Sequence, residues 1–301
     1  MKKILALLAL PFCISISACG GGDDGSPASS GPAIKLTYSG GALVTPKGAR
    51  MMAAVADPSS AASAPVSPVS DAQSTISALQ NAFKARGADI GVFPGVIDGT
   101  ALHQLVMAEG GDIAPTVDQI VNAKVNISEW VLVNFAFDDM TGFIDSSERL
   151  AKVSQFRSDL FTYVAREYLK GRVVFAALPI VSCEADKIVN STDDAGNVIS
   201  TSYPTASKAL YRAISSAAGD DKVFRFDTVG GILHSDPAHM GPDCNTPDQT
   251  VTDEQIASIA DPLVQHYNVA LDTINKCKYN PAAIPENGRS AQCWGIEPVK
   301  Q

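Results

Sequence analysis

Between about residues 50 and 275 the chain alternates short apolar runs with amphipathic segments, and this alternation is what most limits its fold. "WVLVNFAF" (130–137) is apolar almost without interruption, as a strand buried on both faces must be. "RVVFAALPIV" (172–181) has the same character, and "MMAAVA" (51–56), "ADIGVF" (88–93) and "KVFRFD" (222–227) read as shorter strands. Between them lie helical patterns. "SDAQSTISALQNAFKARG" has Ser70 or Asp71 as N-cap, Ile76, Leu79 and Phe83 on one face, and Gly87 as a stop. A long helix ending near residue 170 turns Leu150, Val153, Phe156, Leu160, Val164 and Leu169 inward. "GTALHQLVMAEG" and "TASKALYRAISSAAG" follow the same period, and a last helix from about residue 252 is expected to kink at Pro262. Strands and helices in alternation predict a three-layer α/β/α sandwich around a mainly parallel five-stranded sheet. In such sheets functional residues gather in the loops after the carboxyl ends of the strands.

The first residues have another purpose. Lys2 and Lys3 precede an apolar run (4–16) too short to span a bilayer as a mature helix, the pattern of an export signal. "ISAC" (16–19) resembles the bacterial lipobox. That resemblance implies cleavage after residue 18, lipidation of Cys19 and, with Gly20 rather than an aspartate following, sorting to the outer membrane. Several acyl chains on one residue anchor stably where a single chain does not. "GGGDDGSPASSGP" (20–32) cannot form a core and reads as a flexible tether. The expected organisation is a signal peptide (1–18), a lipidated cysteine and linker (19–48), a folded domain (49–275) and a C-terminal tail (276–301).

Cysteine usage agrees with export. Apart from Cys13 and Cys19, the chain holds Cys183, Cys244, Cys277 and Cys293. An even number in an oxidising compartment points to two disulfides, with three pairings open. The favoured set is Cys277–Cys293, stapling the tail, with Cys183–Cys244 joining two loops. None has CxxC spacing, which argues against zinc. "DDMTGFIDSSE" is acidic but lacks EF-hand spacing, so neither a metal nor another cofactor is expected. The net charge of −9 disfavours nucleic acid as a partner, because phosphate binding needs clustered Lys and Arg.

Four short blocks carry a family resemblance. Asp236-Pro237-Ala238-His239 places a carboxylate three residues before an imidazole. "VLVNFAFDDM" ends a buried strand with Ala136, Asp138 and Asp139. Gly99 stands before a helix, and Ala56-Asp57-Pro58 with Ser59 follows the run at 51–56. In order and spacing these resemble the blocks of the SGNH (GDSL-like) hydrolases, esterases and lipases on a flavodoxin-like sheet, over roughly residues 49–270. The resemblance implies His239 as general base, Asp236 as its orienter, and an oxyanion region at Gly99 and Asp138. Two blocks depart from the family at reacting atoms. Pro58 has no hydroxyl where the nucleophilic serine would stand, so attack would need a displaced Ser59 or Ser60. Asp138 stands where an asparagine would donate a hydrogen bond, and an ionised carboxylate only accepts. His103 and His234 read as ordinary helix and loop residues. The expectation is a lipid-anchored envelope protein with weak or no hydrolase activity, retained to bind an acyl ester, a glycan or an envelope partner. The alternative is an active ester hydrolase using Ser59 or Ser60 with His239 and Asp236.

Overall fold

In the computed structural model, which describes residues 31–43, 68–219, 224–233 and 235–299, the first strand comes earlier than the apolar runs suggest. It is β1 (Ile34–Gly40), inside the stretch read as linker. Ile34, Leu36 and Tyr38 alternate with polar residues and are fully buried on one face, a half-polar pattern that a search for continuous apolar runs passes over. The run at 51–56 lies outside the described residues, as do Cys19, Asp57, Pro58, Ser59, Ser60 and His234.

The other main-sheet strands are β2 (Ile90–Pro94), β3 (Asn126–Asn134), β4 (Arg172–Ile180) and β7 (Asp227–Ile232). All pairings are parallel, in the order β2-β1-β3-β4-β7. Alternate side chains divide the core into two layers. Trp130, Leu132 and Phe175 face α1 (Pro68–Ala85) and α6 (Gln249–Tyr279). Val131, Val133 and Val174 face α2 (Leu102–Ala108), α4 (Ser147–Leu169) and α5 (Ala206–Gly219). A small α3 (Val117–Val121) precedes β3, and α7 (Glu286–Gln292) lies in the tail. The three-layer α/β/α architecture is therefore as expected.

Several details differ. The helix α1 begins at Pro68, a residue whose fixed φ suits a first turn, so Ser70 and Asp71 fall inside the helix rather than capping it. On α4, Phe156, Leu160 and Val164 are buried as expected, but Leu150 is exposed. The strand read at 222–227 falls instead at Asp227–Ile232. Phe224 and Phe226 alternate with exposed Arg225 and pack against α4, which imitates a strand, whereas Gly230 and Gly231 hide the real one. Gly230 has φ 78°, and a Cβ there would press on the Ile259 side chain of α6. A two-stranded hairpin, β5 (Lys187–Thr192) with β6 (Val198–Tyr203), stands apart from the main sheet and was not foreseen. Pro262 lies within α6, which continues through it to Tyr279.

Both favoured disulfides are present, Cys183–Cys244 and Cys277–Cys293. The second joins α6 to the tail, and Cys277 is itself part of the core.

Candidate functional site

Strand order reverses between β1 and β3, which places the crevice of this sheet at their carboxyl ends. There Gly40 pairs with Asn134, and Gly41 N–H donates to the Asn134 carbonyl at 2.9 Å. The Asn134 amide donates to the Tyr38 hydroxyl at 2.9 Å and to the Gly41 carbonyl at 3.0 Å, and the Tyr38 hydroxyl also donates to that carbonyl. Burial holds the Tyr38 phenol well above its ordinary pKa, so it stays protonated. The hydroxyl next along β1 is Ser39, almost wholly buried, which accepts from Val96 N–H at 3.2 Å and bonds the Tyr163 hydroxyl. Tyr163 is pushed up to about 12, chiefly by burial and then by the nearby Glu167 charge. The loop leaving β1 then reads Gly40-Gly41-Ala42-Leu43. Among the described residues, the polar groups of this crevice are engaged with one another and its exit loop brings no hydroxyl.

The segment Asp236–His239 lies in the loop after the last strand, but its internal pairing differs from the expected one. Asp236 caps the short 3-10 helix Pro237–His239, its carboxylate accepting from Ala238 N–H at 2.9 Å. The imidazole partner is Asp248, with His239 Nδ1 2.6 Å from Asp248 Oδ2. The other Asp248 oxygen accepts from Thr250 and Val251 N–H and caps α6, while Asp248 N–H donates to the His239 carbonyl at 2.8 Å. A carboxylate three residues away was expected to hold the ring. One nine residues away does so, because the loop closes on the first turn of α6. The signal that could have found it is the cap pattern Asp248-Gln249-Thr250-Val251 opening a helix. The Cys183–Cys244 bridge and the Cys183 N–H bond to the Cys244 carbonyl, at 3.2 Å, pin the same loop to the segment after β4.

The Asp248 hydrogen bond and charge raise the His239 pKa, and the reciprocal bond lowers that of Asp248. Both side chains are largely exposed, which limits the strength of the tie. A raised histidine pKa means that its contribution is complete below the ordinary value and lost as pH climbs through the raised one. The lowered aspartate pKa means that its contribution is lost as pH falls through that value, so the tie is strongest between the two. NMR titration of His239 should give a pKa above the ordinary histidine value. Asp248→Asn should return it toward that value and Asp236→Asn should leave most of the shift; the opposite ranking would contradict the pairing.

No hydrogen bond joins Gly99 or Asp138, the residues expected at an oxyanion region, to this imidazole among the described residues. Asp138 has its pKa raised by burial first and by Asp139 second, with His103 opposing and Asp159 adding to the rise. The His239 ring responds first to Asp248, with smaller effects from Asp236 and Glu254. His103 Nδ1 lies 3.1 Å from the buried carboxylate of Asp159, an α2–α4 link. Gly99, with φ 86°, occupies a turn in which Asp98 accepts from the Thr100 N–H and hydroxyl.

A cavity of about 190 Å³ opens between the carboxyl ends of β4 and β7, lined by Val181, Lys208, Tyr211, Arg212 and Leu233. Lys208 Nζ is held by Asp186 at 2.8 Å and the Glu184 carbonyl at 2.9 Å. The Arg212 guanidinium makes no hydrogen bond among the described residues, although its charge acts on the nearby Asp186, so its donor fork is open to a ligand. Sequence reasoning did not single out these residues, because α5 shows only an ordinary polar face until the sheet brings Val181 and Leu233 against it. A scan against protein-family models and searches of curated proteins and of solved structures returned no match.

Proposed function

We propose that the chain is a cell-envelope lipoprotein, anchored through Cys19 to the outer membrane, whose SGNH-like domain binds a ligand without hydrolysing it. The observation that carries this reading is the loop leaving β1. The described residues of that loop, Gly40-Gly41-Ala42-Leu43, present no side-chain oxygen at the strand-order reversal, and Asn134 directs its amide at Tyr38 and Gly41. The ligand site is the cavity beside β4 and β7. Arg212 suits a carboxylate or phosphate, and Val181, Tyr211 and Leu233 suit a small apolar body attached to it.

One observation favours a second reading. Asp248 holds His239 Nδ1, which leaves Nε2 able to accept a proton, so an ester hydrolase using Ser59 or Ser60 would have an oriented base, with Asp248 in the role expected of Asp236. A fluorophosphonate probe separates the two. The binding reading expects the folded chain to remain unlabelled. Labelling abolished both by Ser59→Ala or Ser60→Ala and by His239→Ala would establish the hydrolase.

A further inference from the structure

The two ends of the sheet differ in charge, and both expose apolar side chains, Phe93, Leu150 and Leu233 being among those at the carboxyl end. The carboxyl end carries carboxylates in successive loops, among them Asp98, Asp138, Glu184 and Asp236, besides Asp186, which pairs with Lys208. At the amino end the charges are matched. Lys170 pairs with Glu109 and Glu167, Arg172 with Glu167, Arg86 with Asp261 and Lys276 with Asp272. Lys84 and Lys124 are exposed there and form no ion pair among the described residues.

The same end displays apolar and aromatic side chains to solvent. Ile113 is 77% exposed, Val121 69%, Tyr279 57% and Trp294 37%. Trp294 lies close to the segment that follows Val121. Gly171, which leads into β4, lies against both the Trp294 ring and the Lys124 carbonyl, three residues beyond Val121, and Gly295 accepts a bond from Asn126 at the start of β3. Tryptophan and tyrosine beside lysine are the side chains that settle at a membrane–water interface.

Pro32, where the folded part begins, leads directly into the amino end of β1. Cys19 precedes it by thirteen residues, a reach of at most about 45 Å when fully extended. A lipid on Cys19 therefore brings this end of the domain nearest the bilayer, while the surplus carboxylates of the opposite end are repelled by anionic headgroups.

We infer that the amino end of the sheet rests on the bilayer holding the chain's own anchor, with Trp294 and Val121 at the interface and the His239 and Arg212 rim facing away. This rests on the lipoprotein reading. Trp294 is its own probe, since the other tryptophan, Trp130, is buried and donates to the Ile127 carbonyl. The acylated full chain is reconstituted in phosphatidylethanolamine–phosphatidylglycerol vesicles with and without brominated acyl chains. Brominated lipid should remove up to about half of the total emission, one of two tryptophans being reached. Trp294→Phe should abolish that quenching, and Val121→Asp, at an exposed position, should reduce it. Equal emission in both kinds of vesicle, from protein whose mass shows Cys19 acylated, overturns the orientation and leaves the anchor standing. An unacylated Cys19 overturns the anchor and the orientation together.

Discussion

Gly40→Ala should cost the domain about 4 kcal/mol or more, enough to unfold much of a marginally stable protein. Gly40 has φ +122°, a region that only glycine occupies comfortably. An added Cβ would run into the carbonyl and Cα of Asn134 on the neighbouring strand. The obstacle is backbone, so no side-chain rotation relieves it. Moving β3 away would break the parallel pairing from Lys35↔Glu129 to Gly40↔Asn134 on which the centre of the sheet depends. Gly87→Ala is the control. It too has positive φ, 71°, but no atom lies within 4 Å of the added Cβ. Its cost should stay near the conformational penalty of about 1–2 kcal/mol. Denaturant titration of both variants checks this, and similar losses would show that steric closure at the β1–β3 junction is not the controlling factor.

Removing the Cys183–Cys244 bridge by double alanine substitution should destabilise the chain by about 4 kcal/mol in the chain-entropy account, because the bridge closes a loop spanning 61 positions. The Cys277–Cys293 bridge spans 16, and its loss should cost about 3 kcal/mol. The two losses should differ in kind as well. The first bridge anchors the loop carrying His239, so its removal should also pull the His239 pKa back toward the ordinary value. The second should leave that titration unchanged while freeing the tail that covers Gly171 with Trp294. Urea unfolding with NMR titration of both double variants measures these effects. An unchanged His239 pKa without Cys183–Cys244 would mean that Asp248 and the cap of α6 hold the ring unaided.

How far the sequence disclosed all this depended on whether the information was local. The strands β3 and β4 announce themselves because both their faces are buried, so that Val131 and Leu132 are equally apolar though they point to opposite layers. The disulfides were legible because four cysteines permit few arrangements. By contrast, β1 mixes Ile34, Leu36 and Tyr38 with Lys35, Thr37 and Ser39 directly after a tether-like stretch, and its polar half looks like linker. The strand β7 was obscured by Gly230 and Gly231, which are needed for close approach to α6 and Leu178. At the site, the position of His239 in a loop after the last strand was readable, but its partner was not. Asp248 reaches the ring only because a 3-10 turn, a disulfide and a helix cap fold the loop back, and no spacing rule encodes that closure. Arg212 becomes notable only once two strand ends enclose it.

The central claim, binding without hydrolysis, is tested most directly by turnover of a short-chain nitrophenyl ester by the folded chain beside its His239→Ala variant. The account predicts rates that are alike and no greater than background. A wild-type rate that falls about a hundredfold or more in His239→Ala, the usual worth of a general base, would contradict it.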